Sequence, residues 1–237
     1  MSIIELAETG STNDWLAERR SDLADGSWVR ADVQTGGRGR RGRAWTSLPG
    51  NLFASVLVRS QPGEGPAQQL SFVAAVALYE ALRGWVPNQR LALKWPNDIL
   101  LDGVKVSGIL LEGQGDATII GFGVNLADHP VDSERPATSL AASGLAFPSA
   151  TVFCATLAAS FAAVRAEWQA SGFDTVRTAW LTRAGGLGQP LIARLGDVTV
   201  QGCFEGLADD GAAQLRLADG SVRLIHAGEV FGMAATC

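Results

Sequence analysis

Residues Thr35–Trp45, TGGRGRRGRAW, place four arginines among four glycines in a chain of 237 residues with a formal net charge of -5 at pH 7. Glycine lets the backbone adopt positive φ and approach a ligand closely. Arginine presents a planar, permanent charge that suits carboxylate and phosphate oxygens. The stretch therefore predicts an anion-binding loop, although an exposed basic turn is the alternative.

The segments on either side of this loop decide between two folds. Gly37, Gly39 and Gly42 satisfy the G-x-G-x-x-G spacing of dinucleotide-binding folds, in which a strand precedes the glycines and a helix follows. The preceding run Trp28–Thr35 alternates and predicts a strand. The following run Asn51–Val58, NLFASVLV, also predicts a strand. This context excludes the dinucleotide-binding fold.

The backbone conformational entropy of this loop predicts that it is mobile without a ligand. Ordering about ten glycine-rich residues costs roughly 10 to 20 kcal/mol, whereas each charge-assisted hydrogen bond returns about 1.5 to 3 kcal/mol. We expect the loop to be mobile when empty and to close over a bound anion.

The length and composition of the chain limit the kinds of protein it can be. A chain of 237 residues with 47% hydrophobic residues can hold one sizeable core and a small second domain. No apolar run approaches the ~20 residues needed to span a membrane. The N-terminal sequence MSIIELAETG lacks the basic start and apolar core of a signal peptide. We expect a cytoplasmic protein. The cysteines and histidines are far apart in sequence, which predicts neither a zinc site nor a His-based triad.

The chain has only two lysines among its 19 basic residues, and they lie eleven residues apart at Lys94 and Lys105. Lysine is a compact point charge that arginine does not replace at a tight site, so we interpret the pair as functional; two surface lysines left by chance are the alternative. The turn signal Asp102-Gly103 predicts a hairpin between them. Strand alternation places Lys105 and Ser107 on one face, with Gly108 allowing close approach of the backbone.

Four further segments complete the predicted first domain. Ser11–Arg20 predicts a helix with Ser11 as N-cap and Asp14 completing a capping-box pattern, so capping is the simplest role for Ser11 to Asn13. Pro66–Trp85 predicts a long core helix. Thr118–Leu126 predicts a strand with two glycines on one side. Helices are also predicted over about 148–169 and 173–183.

The pattern changes after a linker predicted at Ala184–Gly188. From residue 190 onward, short alternating runs are separated by the turns GD, ADDG and DG. This rhythm predicts a small five-stranded barrel. A module of about fifty residues buries little core by itself, so we expect it to dock on the first domain.

Together these motifs resemble the biotin protein ligases. The matching segments are STN at 11–13, Gln34, GRGRRGRAW at 37–45, KWPNDI at 94–99, VKVSGILLE at 104–112 and GFGVNL at 121–126. The resemblance implies an α+β fold: a mixed-sheet catalytic domain of the class II aminoacyl-tRNA synthetase type over residues 1–184, then an SH3-like barrel over 188–237. Because about ten residues precede the STN motif, we expect a monofunctional ligase without operator DNA binding.

The resemblance also implies the activity. Biotin and ATP would give biotinyl-5'-adenylate and pyrophosphate, with magnesium. The biotinyl group would then pass to a lysine in the biotin carboxyl carrier domain of an acyl-CoA carboxylase. The family occurs as monomers and homodimers, and the resemblance implies no membrane partner.

Carried over by motif, the implied site residues form four sets. The catalytic residues are Lys105 and Arg40. Biotin would be bound by Ser11, Thr12, Asn13, Gln34, Gly37, Arg38, Gly39, Arg40, Lys105 and Gly108. ATP would be bound by Arg41, Arg43, Trp45, Lys94, Asn97, Val124 and Asn125. Magnesium would be held by Asn97 and Asp98.

Electrostatics supports this assignment, because a carboxylate that attacks the α-phosphorus of a polyanion needs positive charge near both groups. The closest alternative is a lipoate or octanoate transferase of the same fold family. A nucleic-acid-binding module is another, but the acidic balance and the lack of a wider basic stripe argue against it. A purely structural role would leave the lysine pair and the arginine loop without explanation.

Overall fold

The computed structural model describes residues 2–131 and 136–232 and contains two sheets and four α-helices. The strands of the first sheet are β1 Ile3–Thr9, β2 Trp28–Gln34, β3 Leu52–Arg59, β4 Leu91–Lys94, β5 Asp98–Leu101, β6 Val104–Gln114 and β7 Ala117–Val124. The helices are α1 Thr12–Arg19, α2 Leu70–Leu82, α3 Ala150–Ser171 and α4 Phe173–Leu181. The strands of the second sheet are β8 Pro190–Leu195, β9 Val198–Leu207, β10 Ala213–Arg216, β11 Val222–Ile225 and β12 Glu229–Gly232.

The first sheet is mixed, with the strand order β1-β2-β3-β7-β6-β5-β4. Helix α1 connects β1 to β2, which are parallel, while the other neighbouring strands are antiparallel. This confirms the expected α+β class. Strand β1 was not predicted, because its run IIELAET mixes glutamates into a half-buried edge strand and gives a weak period-two signal.

Helices α2 and α3 cover one face of this sheet. Almost every residue of α2 is buried, which is why its sequence is apolar all round. Trp28 of β2 stacks on Phe122 of β7 with ring centroids 5.5 Å apart. Phe161 of α3 meets the same Trp28 edge-on at 5.8 Å. This aromatic cluster joins the helical layer to the middle of the sheet.

Helix α3 contradicts the expectation that no segment has the length and hydropathy of a membrane span, because its 22 residues have both. Its buried residues, which include Phe153 and Leu157, pack in the main core. The helix also carries Arg165, whose side chain is 9% exposed and lies 2.8 Å from Asp25. A largely buried arginine that pairs with a carboxylate outside the helix, on a helix packed on α2, is typical of a core helix.

The second sheet is antiparallel, with the order β11-β10-β9-β8-β12. Among the described residues its end strands β11 and β12 do not pair with each other, so the barrel predicted from the hairpin rhythm is not closed. The sheet packs on the first unit, as expected. Trp180 of α4 meets Phe204 of β9 at 6.3 Å, and Trp95 Nε1 donates to the Gly211 carbonyl at 3.1 Å.

The predicted linker is tied to the first sheet. The Leu93 amide donates to the Arg183 carbonyl at 2.8 Å, and the Gly185 amide donates to the Leu93 carbonyl at 2.8 Å. These two bonds cover the outer edge of β4 with a short parallel bridge. The connection between the units is therefore an ordered part of the fold.

Candidate functional site

A cavity of about 240 Å³ lies between the arginine loop, strands β6 and β7, and the turn that precedes β12. It brings together most of the residues singled out in the sequence. Those that line it are Ser11, Thr12, Asn13, Gln34, Arg38, Gly39, Arg40, Arg43, Trp45, Lys94, Asn97, Asp98, Lys105, Gly108 and Asn125.

One end of the cavity is neutral and polar. The Gln34 side-chain oxygen accepts from the Thr12 amide at 2.8 Å and from the Thr12 hydroxyl at 3.0 Å. Ser55 Oγ lies 2.7 Å from Thr12 Oγ1 and 2.6 Å from Asn13 Oδ1. Asn13 Nδ2 donates to Glu112 at 2.6 Å. These bonds fix buried side chains that can donate to and accept from a neutral polar ligand.

The first residues of α1 lie beside this cavity. Ser11 occupies the N-cap position with extended backbone, but its side chain makes no capping hydrogen bond. Asp14 does not reach back to the helix start either, because it forms a two-bond ion pair with Arg38 at 2.6 Å for each bond. The capping-box prediction is therefore wrong, and residues 11–13 are buried beside the cavity.

Arg38 is held by two carboxylates. Besides Asp14, the Glu112 carboxylate lies 3.3 Å from Arg38 Nη2. These hydrogen bonds raise the pKa of Arg38 above its usual range. The Arg38 guanidinium likewise lowers the pKa of Asp14 below its usual range. The first arginine of the loop is thus anchored to α1 and β6.

The loop follows a path fixed by its own backbone and by the second sheet. The Gly39 amide donates to the Arg43 carbonyl at 2.7 Å. Arg41 adopts a left-handed conformation with φ 59°, a region that non-glycine residues seldom occupy. Arg43 lies 2.5 Å from the Glu229 carboxylate, and Arg41 lies 3.9 Å from it. The expected closure of the loop over an anion stays a prediction.

Arg40 is the half-buried cation of the site. Its Nη1 lies 3.4 Å from Asn97 Oδ1 and 3.3 Å from the Gly228 carbonyl. Burial lowers the pKa of Arg40, and the neighbouring charge of Arg41 lowers it further. The carboxylates of Asp98 and Glu229 act against this lowering. A partly desolvated guanidinium interacts more strongly with an incoming anion than an exposed one does.

A β-bulge orients Lys105. In the ladder between β5 and β6, Ile99 pairs with Ser107 and the next residue, Leu100, pairs with Lys105. Val106 is therefore an extra, unpaired residue on β6. Because a bulge shifts the alternation by one residue, Lys105 faces the cavity together with Gly108, while Ser107 is buried and donates to the Gly123 carbonyl at 2.6 Å. The prediction that Lys105 and Ser107 share one face is therefore wrong.

Asp98 provides the partner of Lys105. Lys105 Nζ lies 2.6 Å from Asp98 Oδ1, with side chains 29% and 15% exposed. That oxygen is fully buried, and apart from this ion pair it has no hydrogen-bond partner among the described residues. The ammonium is thereby held at the middle of the cavity.

Trp45 covers the floor made by β6 and β7. A Cβ on Gly123 would lie 2.5 Å from Trp45 Cζ2, and one on Gly108 would lie 3.1 Å from Trp45 Cζ3. Only glycine fits beneath the ring at Gly123. Trp45 Nε1 is buried without a hydrogen-bond partner in the described chain, so it can donate to a ligand. The predicted common side of Gly121 and Gly123 is confirmed, since both line the cavity.

The two residues expected to hold a metal both line the cavity but offer few oxygens. Asn97 Oδ1 lies near Arg40, and Asn97 Nδ2 donates to the Ile109 carbonyl at 2.5 Å. One oxygen of Asp98 faces Lys105. Within residues 2–131 and 136–232, no group of three or more His, Cys, Asp or Glu side chains could hold a metal ion.

Three residues that the sequence assigned to the site lie outside the cavity lining. Gly37 is buried beneath Gln34 and Trp45. Arg41 is exposed. Val124 is fully buried in the main core. The sequence also missed residues that hold site side chains in place. Asp14, Ser55 and Glu229 contact Arg38, Asn13 and Arg43, but isolated polar residues in ordinary strands and helices do not show such a role. Glu112, which contacts Asn13 and Arg38, ends a quoted motif but was given no role.

Two family models match the chain. The model of the biotin/lipoate A/B protein ligase family matches residues 5–125, and the model of the biotin protein ligase C-terminal domain matches residues 186–232. Together they cover the loop, most of the residues that line the cavity, and the second sheet.

Individual relatives agree with these models. A biotin–[acetyl-CoA-carboxylase] ligase of Paracoccus denitrificans is 44% identical, covering 95% of this chain and 98% of the relative. The bifunctional ligase/repressor BirA of Escherichia coli is 31% identical, covering 97% of this chain and 73% of the relative. The structure of an Aquifex aeolicus biotin protein ligase in complex with biotin and ATP superposes with a TM-score of 0.86 at 26% identity, covering 98% of this chain and 99% of that one.

The cavity, the arginine loop and the second sheet thus lie in segments that match one kind of enzyme, and the chain belongs to the biotin protein ligase family.

Proposed function

We propose that this protein activates biotin with ATP to biotinyl-5'-adenylate, releasing pyrophosphate, and transfers biotin to a specific lysine of the carrier domain of an acyl-CoA carboxylase. The observation that carries the proposal is the combination of groups that line one cavity. These are the polar side chains of Thr12 and Gln34, the cations Arg40 and Lys105, and the aromatic ring of Trp45. A ligand made of biotin and an adenylate needs all three kinds of group.

The polar end would bind the ureido ring of biotin. This ring carries two N–H donors and one carbonyl acceptor, which suit the fixed hydroxyl and amide groups at this end. We assign it to Ser11, Thr12, Asn13 and Gln34, with Gly37, Arg38, Gly39 and Gly108 shaping the wall. The anchoring of Arg38 by Asp14 and Glu112 supports a shaping role, because this guanidinium is already neutralised.

The middle of the cavity would perform adenylation. The biotin carboxylate must approach the α-phosphorus of ATP against like-charge repulsion, which Lys105 and Arg40 offset. Lys105 would bridge the carboxylate and the α-phosphate, while Arg40 would stabilise the charge that develops on the phosphate. Fixed charges of this kind commonly contribute about 10²-fold or more to the rate. The Asp98 contact keeps Lys105 in place for this role.

The remaining residues would hold the nucleotide and its metal. Trp45 offers a flat face and Asn125 an amide for the base, while Arg41, Arg43 and Lys94 offer charge for phosphates; Val124 could contribute through its backbone. Asn97 and Asp98 would supply one or two oxygen ligands to Mg²⁺. Since Mg²⁺ usually keeps several waters and binds substrate phosphates, two protein ligands suffice to fit. The ion would neutralise phosphate charge.

The units would divide this work at the proposed boundaries 1–184 and 188–237. We propose that the first unit is catalytic and that the second, through Glu229 and Gly228, supports the arginine loop. We propose a cytoplasmic monomer or homodimer that binds no membrane. We propose no operator DNA binding either, because Arg38 and Arg43 are paired with carboxylates of the same chain.

The test is ATP–pyrophosphate exchange by purified protein with Mg²⁺, run in parallel with biotin, lipoate and octanoate. Comparing the three acids distinguishes a biotin ligase from the lipoate ligases that belong to the same wider family. We expect exchange with biotin alone. Exchange with lipoate or octanoate would assign the protein to the lipoate ligases, and no exchange with any acid would overturn the proposal.

A further inference from the structure

A second cavity of about 550 Å³ lies between the start of α2, strand β6 and two turns of the second sheet. It adjoins the cavity described above. Arg40, Trp95, Pro96, Asn97 and Ile109 line both cavities. Any group that enters the second cavity therefore arrives beside Arg40, which lies next to the reacting carboxyl in the proposed function.

The walls and rim of this cavity differ in polarity. Phe72 and Leu111 add apolar surface to the shared wall. At the rim, two turns of the second sheet contribute Asp210 and His226. The cavity thus combines an apolar passage with a carboxylate at its mouth and a guanidinium at its inner end.

Asp210 and His226 form an oriented pair. Asp210 Oδ1 accepts from the Ala212 amide at 2.9 Å. Its other oxygen, Oδ2, lies 3.2 Å from His226 Nδ1, with side chains 52% and 66% exposed. A carboxylate that faces Nδ1 favours the tautomer with its proton there, which leaves Nε2 as the basic nitrogen. The pair is accessible from solvent and was not assigned any role by the sequence.

We propose that the second cavity is the entry path of the acceptor lysine and that the Asp210–His226 pair takes its proton; this rests on the proposed function. A lysine side chain has an apolar stem and a cationic head, which match the apolar walls and the carboxylate at the mouth. Near Arg40 and Lys105 the positive field opposes the ammonium form, so the lysine gives up its proton at the mouth, beside His226, before the head moves inward.

The transfer step balances as follows. The lysine ammonium gives one proton to His226 Nε2, and the free amine forms a C–N bond with the acyl carbon of the mixed anhydride. The bond between that carbon and the phosphate oxygen breaks, and AMP leaves with the electron pair. The nitrogen loses its second proton to water and becomes an amide.

The experiment measures the two half-reactions separately in the full-length protein. Pyrophosphate exchange with biotin reports adenylation. Single-turnover transfer from enzyme-bound biotinyl-adenylate to an apo biotin carboxyl carrier domain reports acylation of lysine. Two variants, His226→Gln and Asp210→Asn, change the proposed base. A third, Gln68→Trp, places a large side chain at an exposed lining position near the start of α2 and so narrows the mouth of the cavity.

We expect His226→Gln to slow transfer by about 10²-fold, within the range of general-base contributions. Asp210→Asn should slow it less, and Gln68→Trp should block the protein acceptor. Pyrophosphate exchange should be unchanged in all three. Hydroxylamine, a small amine that is already neutral, should still discharge the adenylate at the wild-type rate. Asp219→Asn is the control, because this carboxylate lies in another turn of the same sheet and accepts from Ser221.

Two outcomes would overturn the inference. Transfer at the wild-type rate in His226→Gln and Gln68→Trp would show that lysine enters elsewhere. A parallel loss of pyrophosphate exchange would show that the second cavity belongs to adenylation. Failure of the proposed function itself would appear differently, as absence of biotin-dependent exchange in the wild-type protein.

Discussion

Substitution of Lys105 gives the sharpest test of the proposed chemistry. Its ammonium lies 2.6 Å from Asp98 Oδ1 and 5.7 Å from the centroid of the Trp45 ring. A Cβ on Gly108 would be only 3.1 Å from Lys105 Nζ. The ammonium therefore occupies a narrow slot between a carboxylate, a ring and a strand backbone.

Lys105→Arg keeps the charge but replaces a compact head with a larger planar one. The slot above Gly108 cannot take the guanidinium without displacing the Trp45 ring. We expect adenylation to fall by about 10²-fold, which corresponds to ~2.7 kcal/mol of transition-state stabilisation. The free energy of unfolding should change little, because Asp98 retains a cationic partner.

Lys105→Met removes the charge and leaves the buried Asp98 oxygen without a partner. Loss of one partner of a buried polar group costs about 1 to 3 kcal/mol, and partial exposure of this pair places the expected value near the lower end. The double variant Lys105→Met with Asp98→Asn should recover much of that stability, because the uncompensated charge is gone. It should not recover adenylation.

The assays are biotin-dependent pyrophosphate exchange and urea denaturation, applied to the three variants and the wild type. Near wild-type exchange in Lys105→Arg would refute the bridging role. A double variant no more stable than Lys105→Met would refute the view that Asp98 depends on Lys105 for its burial.

Three further predictions concern the loop and the polar end of the cavity. Arg40→Gly should release biotinyl-adenylate and label bystander proteins, because the loop then retains the mixed anhydride less well; labelling of an added non-carrier protein measures this. Gly121→Ala should raise the KM for biotin, since the added methyl would lie 2.5 Å from Asn13 Oδ1. Asp14→Asn should destabilise the protein by at most about 1 kcal/mol, as for a largely exposed pair. Since Arg38 lowers the pKa of Asp14, this contribution is present above the unfolded-state pKa of about 3.9 and is lost as the pH falls through the lower folded-state value; denaturation at several pH values measures it.

Matched controls accompany these variants. Gly113→Ala, on the same pair of strands, adds a methyl with nothing within 4 Å and should leave the KM for biotin unchanged. Arg20→Gly removes an exposed arginine from the end of α1 and should not promote labelling. Labelling absent in Arg40→Gly while adenylation persists would contradict the retention argument. A stability difference for Asp14→Asn that does not shrink as the pH falls below about 3.9 would contradict the ion-pair argument.

The sequence predicted the components of the site better than their arrangement. Motifs located Lys105, Arg40 and Trp45, because rare residue types at fixed spacing carry information. The orientation of Lys105 depends on a single extra residue in β6, and simple alternation missed it. The capping bond expected of Ser11 is absent, since serine before a helix is typical of a cap whether or not its side chain makes the bond.

For the fold as well, local features were predicted and features that depend on distant residues were not. The long apolar helix α2 and the hairpin around Asp102 were predicted, because their signals are local. The edge strand β1 was missed, since pairing with β2 stabilises it more than its own pattern does. Closure of the second sheet was also expected, but strand rhythm does not encode whether the first and last strands meet.

The two amide bonds between β4 and residues 183–185 have a consequence for protein engineering. Circular permutation or fusion at this point would remove the bonds that cover the β4 edge and would expose a template for strand addition. Turns such as that at Gly220, where a Cβ would meet nothing within 4 Å, are better insertion points. A split-protein reporter built from this chain should therefore be divided inside the second sheet, away from the junction between its two units.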